Sequence, residues 1–192
     1  YTDILDYIVS EITSENIMTL LIEGKYEKFE RKLNEGMLKG MSYYDEQELF
    51  YHGLVYAMSK TLNDYEVLSN VESGNGRPDI MIEGKEEGII IEIKRAESDL
   101  KKSSKEAIEQ IKEKRYWERL GKEVKEVKLV RLSFKSKEAK ILVEDMNSAG
   151  YLCKYLSSQL TRDKILKPSF LKLTRIFFSS FVSKFISSRI NP

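Results

Sequence analysis

Apolar residues recur at helical spacing through the first 40 positions. Ile4, Leu5, Ile8 and Ile12 outline one helix, Ile17, Leu20 and Leu21 a second, and beyond Gly24 the residues Tyr26, Phe29 and Leu33 a third. No chemistry stands out there, so 1–40 reads as a helical extension that packs on a core or on an upstream domain. A further helix is expected from Asp45 to about Lys60, with Asp45 as N-cap and Glu48 three residues later. Tyr65 to Val71 alternates as a first strand, and Glu72 to Pro78 is a glycine-rich bend. Ile80–Ile82 and Ile89–Lys94 flank a Gly-Lys-Glu-Glu-Gly turn and read as a hairpin. Glu97 to Leu120 is charged and helical, with Gly121 as its C-cap. Val124 to Phe134 alternates as another strand, and Ala139 to Val143 adds an edge strand. The order of helix, three strands, helix and strand predicts an α/β domain over 41–146, a mixed central sheet flanked by helices.

The hairpin is where charge enters an apolar pattern. Side chains alternate along a strand, so Ile90, Glu92 and Lys94 share one face and Ile89, Ile91 and Ile93 the other. With the turn centred between Lys85 and Glu86, Ile80 faces Ile91, Ile82 faces Ile89, and Asp79 faces Glu92. The two carboxylates become cross-strand neighbours with Cβ atoms roughly 5 Å apart, and Lys94 lies diagonally beyond them. A slip of one residue would mix the faces. Facing carboxylates at the edge of an apolar layer repel, and a cation between them relieves this. Hard oxygen donors suit Mg²⁺ or Mn²⁺, which need only one or two protein carboxylates. Lys94 is then placed to act on a water or on charge building at a phosphoryl group. The plainer alternative is that Asp79 caps the turn and Glu92 and Lys94 form an exposed strand pair.

Other candidates are more open. Glu48 and His52 stand four apart and share a helix face. Glu48 could simply return to the N-cap amide in a capping box, and His52, the single histidine, could be a hydrogen-bonded packing residue or could line a site. Gly74 and Gly76 permit positive φ and could offer amides to a phosphate or only turn the chain. Arg77 could pair with a carboxylate or contact a phosphate, and Glu72 is a weaker acidic candidate. Gln110 reads on composition as a solvated helix residue.

Asp79 after Pro78, a short hairpin, then Glu92-Ile93-Lys94 resembles the signature of the PD-(D/E)XK nuclease superfamily. The wider match runs through Glu48-x-Phe50-Tyr51-His52-Gly53, Ser69-Asn70-x-Glu72-Ser73-Gly74-x-Gly76-Arg77-Pro78-Asp79-Ile80, Ile90-Ile91-Glu92-Ile93-Lys94 and Gln110-Ile111-x-x-Lys114-x-Tyr116. It is similar to the nuclease-like C-terminal domain of a large family of proteins with an AAA-ATPase-like N-terminal domain, over about residues 26 to 145. The resemblance implies a restriction-endonuclease-like core of order αβββαβ. It implies metal-dependent phosphodiester hydrolysis, on DNA rather than RNA, with Asp79 and Glu92 on Mg²⁺ or Mn²⁺ and Glu48 as auxiliary metal ligand. It further implies that Lys94 assists catalysis, that Gln110 points to the carboxylates, and that Lys114 and Tyr116 help bind the substrate strand. The competing expectation is a catalytically weak nuclease fold serving as a nucleic-acid-binding or interaction module for the ATPase-like domain.

Charge changes this picture at one point. Lys and Arg (32) nearly balance Asp and Glu (31), but from Tyr151 onward eight basic residues face one acid, a net of +7. Since the whole chain is at +1, the first 150 residues carry −6. An acidic core attracts phosphates poorly, so weak, salt-sensitive binding is expected. In the tail, 147–192, Phe170, Leu173, Phe177, Phe181 and Phe185 recur at helical spacing among basic residues and serines, and no function is assigned to it. Cys153, a lone cysteine, cannot form an internal disulfide, and no apolar run is long enough to span a bilayer, so a cytoplasmic location is expected. The chain begins at Tyr1 within an amphipathic pattern, which reads as a fragment lacking an upstream domain.

Overall fold

The computed structural model describes residues 16–41, 47–96 and 102–146. Helices α1 (Ile17–Ile22), α2 (Tyr26–Gly40) and α3 (Glu48–Ser59) precede strands β1 (Glu66–Ser69), β2 (Ile80–Glu83) and β3 (Glu87–Arg95). Helix α4 (Lys102–Lys114) and a 3₁₀ turn (Tyr116–Arg119) lead to β4 (Glu126–Lys135) and β5 (Glu138–Met146). The expected helix through Ile4 to Ile12, the cap Asp45 and the tail 147–192 lie outside the described residues.

The five strands form one sheet in the order β1-β2-β3-β4-β5. Strands β1, β2 and β3 pair antiparallel, and β3 pairs parallel with β4 across the α4 crossover. The hairpin register is the expected one, Ile80 opposite Ile91 and Ile82 opposite Ile89. Such a mixed sheet needs both faces covered, and β3 is buried from Gly88 to Ile93. On one face Ile80, Ile82, Ile89, Ile91, Ile93, Val130, Leu132 and Phe134 join Phe29, Leu33, Tyr51, Leu54 and Met58 of the N-terminal helices in a single core. On the other face Ile108, Ile111, Trp117 and Leu120 are buried where α4 and the 3₁₀ turn pack on β4 and β3.

Two expectations about helix ends are corrected. Helix α3 starts at Glu48 with Gln47 at the N-cap and no side-chain cap, so Glu48 does not close a capping box. The α4 helix stops at Lys114, where Arg115 turns left-handed at φ 54°; the chain tightens into the 3₁₀ turn instead of running on to Gly121. Gly121 instead donates its N–H to Glu83 at 3.0 Å.

Edge strand β5 is covered by α2 through polar side chains. Asn34 Oδ1 accepts from the Ala139 N–H at 2.6 Å while its Nδ2 donates to the Ala139 carbonyl at 3.1 Å, and Glu30 accepts from the Ile141 N–H at 3.0 Å. These bonds occupy edge groups that would otherwise invite another strand. Beneath them Tyr51 stacks on Phe134 with ring centroids 4.4 Å apart and donates to the Ser136 carbonyl at 2.7 Å. Phe134 is fully buried at the junction of α3 and β4. Phe134→Ala is expected to cost about 3–5 kcal/mol of stability, read as a lower midpoint in urea unfolding.

Candidate functional site

The β2–β3 ladder ends just before Asp79. Ile80 and Ile91 are its last backbone pair, and the next donor on β3, the Ile93 N–H, bonds Asp79 Oδ2 at 2.7 Å. A carboxylate thus replaces a ladder carbonyl, which fixes one oxygen and leaves the other for a ligand. The Asp79 carbonyl accepts from the Asn70 N–H at 3.1 Å and lies 3.2 Å from His52 Nε2. The same His52 nitrogen lies 3.2 Å from Ser69 Oγ and 3.3 Å from Asn70 Nδ2. His52 therefore ties α3 to the end of β1 and to the Asp79 backbone; its ring contacts support the site instead of entering it.

Glu92 is 3 % exposed, on the same face as Ile90 and Lys94, and its Oε1 has no hydrogen-bond partner among the described residues. Burial, reinforced by the Asp79 charge, pushes its carboxyl up to about 8, against the opposing pull of Lys94 and Arg131. A buried carboxylate oxygen without a donor is costly. Asp79 and Glu92 are the residues that could offer oxygens to a hard divalent cation, whose charge would favour the ionised form of both.

Glu48 has other partners. Its Oε1 lies 3.6 Å from Lys94 Nζ and its Oε2 accepts from the Arg95 N–H at 3.3 Å. Among the described residues no three histidine, cysteine, aspartate or glutamate side chains gather as a metal cluster. The first turn of α3 thus holds Lys94 at the mouth of the site, with both side chains partly exposed.

Below the carboxylates, the Tyr116 hydroxyl faces Gln110 and Glu92. Burial, then the Glu92 charge, raises it above the ordinary phenol value, and its bond with Gln110 acts in the opposite sense. Gln110 is half-buried and reaches the pair through Tyr116. The glycine bend anchors this wall. Gly74 sits at φ 57°, and a Cβ there would stand 2.3 Å from the Lys114 carbonyl oxygen; a Cβ on Gly76 would press on the Tyr116 ring at 3.0 Å. The Asn75 N–H donates to the Lys114 carbonyl at 2.8 Å and Ser73 Oγ to that of Tyr116. The bend is spent on docking the end of α4, and the Lys114 side chain is exposed. Glu72 and Arg77 pair with each other at 2.8 Å on the exposed surface. They are not brought to Asp79 and Glu92 by any bond among the described residues.

One charged residue escaped the sequence reading. Arg131 is 3 % exposed and stands opposite Glu92 in the β3–β4 pairing. Burial lowers its pKa, while Glu92, Glu48 and Asp79 oppose that. The signal was available: in the alternation of Val127, Leu129, Arg131 and Ser133, two polar residues continue an otherwise apolar face.

Comparison with known proteins places this geometry. The family model described as the PD-(D/E)XK nuclease superfamily matches residues 46–144, which span α3, the strands β1 to β4 and most of β5. The mixed five-stranded sheet flanked by helices is a restriction-endonuclease-like fold. No curated protein and no solved structure matches the chain.

The raised Glu92 carboxyl sets a pH dependence. Between its ordinary value of 4.5 and about 8 the unfolded chain has released this proton and the folded protein still holds it. The folded state then binds more protons, so stability falls as pH rises across that window. Denaturant unfolding in EDTA is expected to show this decline for the wild type and a flatter profile for Glu92→Gln; equal slopes would assign the dependence to another group.

Proposed function

This chain belongs to the PD-(D/E)XK nuclease superfamily, and on that footing we propose that it is a metal-dependent phosphodiesterase acting on nucleic acid, DNA in the first instance. The observation that carries the reading is the buried Glu92 beside Asp79, with an oxygen that no donor among the described residues satisfies and with Lys94 two residues on along the same face. Packing alone gives no return for that arrangement.

Asp79 and Glu92 would hold Mg²⁺ or Mn²⁺, with Glu48 assisting from the mouth of the site. When bound, such an ion supplies positive charge against the phosphate oxygens and lowers the pKa of an attacking water. The chain's own residues do the rest. The Ile93 N–H holds Asp79 in one orientation, and the apolar layer around Glu92 keeps bulk water from that carboxyl. The Lys94 ammonium, kept in place by Glu48, orients the attacking water or neutralises charge building on the phosphoryl group. Gln110 and Tyr116 fix the inner side of Glu92, and Lys114 contributes positive charge for the substrate strand. His52 supports the Asp79 backbone.

The charge of −6 on the first 150 residues favours one second reading, a catalytically weak nuclease fold that serves an ATPase-like domain as a nucleic-acid-binding or interaction module. An upstream ATPase-like domain and a cytoplasmic location belong to the same proposal. No helix among the described residues is long and apolar enough to cross a membrane.

Cleavage of single- and double-stranded DNA and RNA by the full chain tests the reading, in Mg²⁺, Mn²⁺ or EDTA. We expect cutting only with metal, and a fall of about 100-fold or more in Asp79→Ala and in Lys94→Ala. Mn²⁺ should also raise the melting midpoint of the wild type and not that of Asp79→Ala, because an ion that binds only the folded state stabilises it. A folded, Mn²⁺-binding wild type that cuts none of these substrates would overturn autonomous catalysis in favour of the module.

A further inference from the structure

In the parallel pairing of β3 and β4, Glu92 stands opposite Arg131 and Lys94 opposite Ser133. Facing residues of paired strands point the same way, so these four side chains form one patch at the C-terminal ends of two parallel strands. Arg131 has one hydrogen bond there among the described residues. Its Nε donates to Ser133 Oγ at 3.2 Å, and Ser133 is itself fully buried. That single bond sets the plane of the guanidinium.

The remaining donors have no hydrogen-bond acceptor among the described residues. Among the described residues the Arg131 Nη groups make no hydrogen bond and no ion pair, although Arg131 is 3 % exposed. Across the pairing, Glu92 Oε1 is sealed from solvent and without a partner among the described residues, whereas the Arg131 Nη atoms are not among the sealed atoms. The two facing side chains therefore leave each other without a hydrogen bond among the described residues. Guanidinium hydrogens that reach the surface of the site without a protein acceptor are open to an acceptor from outside the chain. The planar fork matches the paired oxygens of a phosphate or a carboxylate, and a phosphodiester is the ligand that the nuclease reading brings to this site.

Resting on the nuclease reading, we propose that Arg131 is a further catalytic residue that donates its Nη hydrogens to a non-bridging oxygen of the substrate phosphodiester. Ser133 is the positioning residue that aims it. This divides the patch by charge: Asp79 and Glu92 take the cation, while Arg131 and Lys94 take the phosphate. It also supplies a local source of phosphate attraction inside an acidic core.

The test separates phosphate contact from support of the carboxylates. Binding of labelled DNA is measured for the full chain in Ca²⁺ across a salt series, in a Lys94→Ala background that limits consumption of the probe. Mn²⁺ binding without DNA is measured in parallel. Arg131→Gln is expected to weaken DNA binding about tenfold and to lower the slope of log K against log salt by about one, with Mn²⁺ affinity unchanged. Arg131→Lys keeps the slope and loses part of the affinity, because it keeps the charge without the fork. Where Arg131→Gln fails to fold, Ser133→Ala carries the test, with DNA binding weaker by about threefold and Mn²⁺ binding intact. Altered Mn²⁺ affinity with unchanged DNA binding and salt slope would make Arg131 a support of the carboxylates and overturn the assignment. A wild type that binds Mn²⁺ but neither binds nor cuts nucleic acid would overturn the nuclease reading, and this assignment with it.

Discussion

Everything at the candidate site depends on one substitution in a hydrogen-bond ladder. Where β2 stops supplying carbonyls, the Asp79 side chain supplies an oxygen to the Ile93 N–H at 2.7 Å. That bond fixes Asp79 against β3 and so sets its distance from Glu92. It also requires the register in which Ile80 meets Ile91, because a slip of one residue would present the apolar face where the carboxylates must stand. The isoleucines of β2 and β3 enforce that register by their burial. The apolar core thus positions charge it does not contain.

The second constraint is the parallel pairing of β3 with β4. A parallel neighbour needs a crossover, and here the crossover is α4, which covers the face that carries Glu92. Covering that face buries Glu92 and raises its carboxyl to about 8. The same crossover delivers Tyr116 and Gln110 to the carboxylate and sets Arg131 opposite it. Burial, inner wall and buried cation all follow from one topological choice. The glycine bend completes it: Gly74 and Gly76 let the chain approach the end of α4 closely enough to hold Tyr116 in place.

The N-terminal helices act on the site from the opposite side of the sheet. Helix α3 buries Tyr51, Leu54 and Met58 in the core, and this leaves Glu48 over Lys94 and His52 against the Asp79 carbonyl. Helix α2 seals edge strand β5 with Asn34 and Glu30. Residues outside the matched segment 46–144 therefore share its core, and the sheet that carries the site leans on them.

The local pattern of the chain was enough to determine the hairpin, its register, the nearness of Asp79 to Glu92 and the alternation of helices and strands. Each of these rests on neighbours close in sequence or on a period of two or 3.6 residues. Arg131 went unread although it interrupts an apolar alternation, and no pattern says which strand lies beside β3, so its facing residue was unknown. Tertiary structure alone decided four further points: that Glu48 turns to Lys94 and the Arg95 amide, that Glu72 and Arg77 neutralise each other, that α4 ends early at Arg115, and that the glycine bend is spent on docking. A side chain with several acceptors or donors within reach is assigned by what distant segments bring to it, and sequence spacing carries no information about that distance.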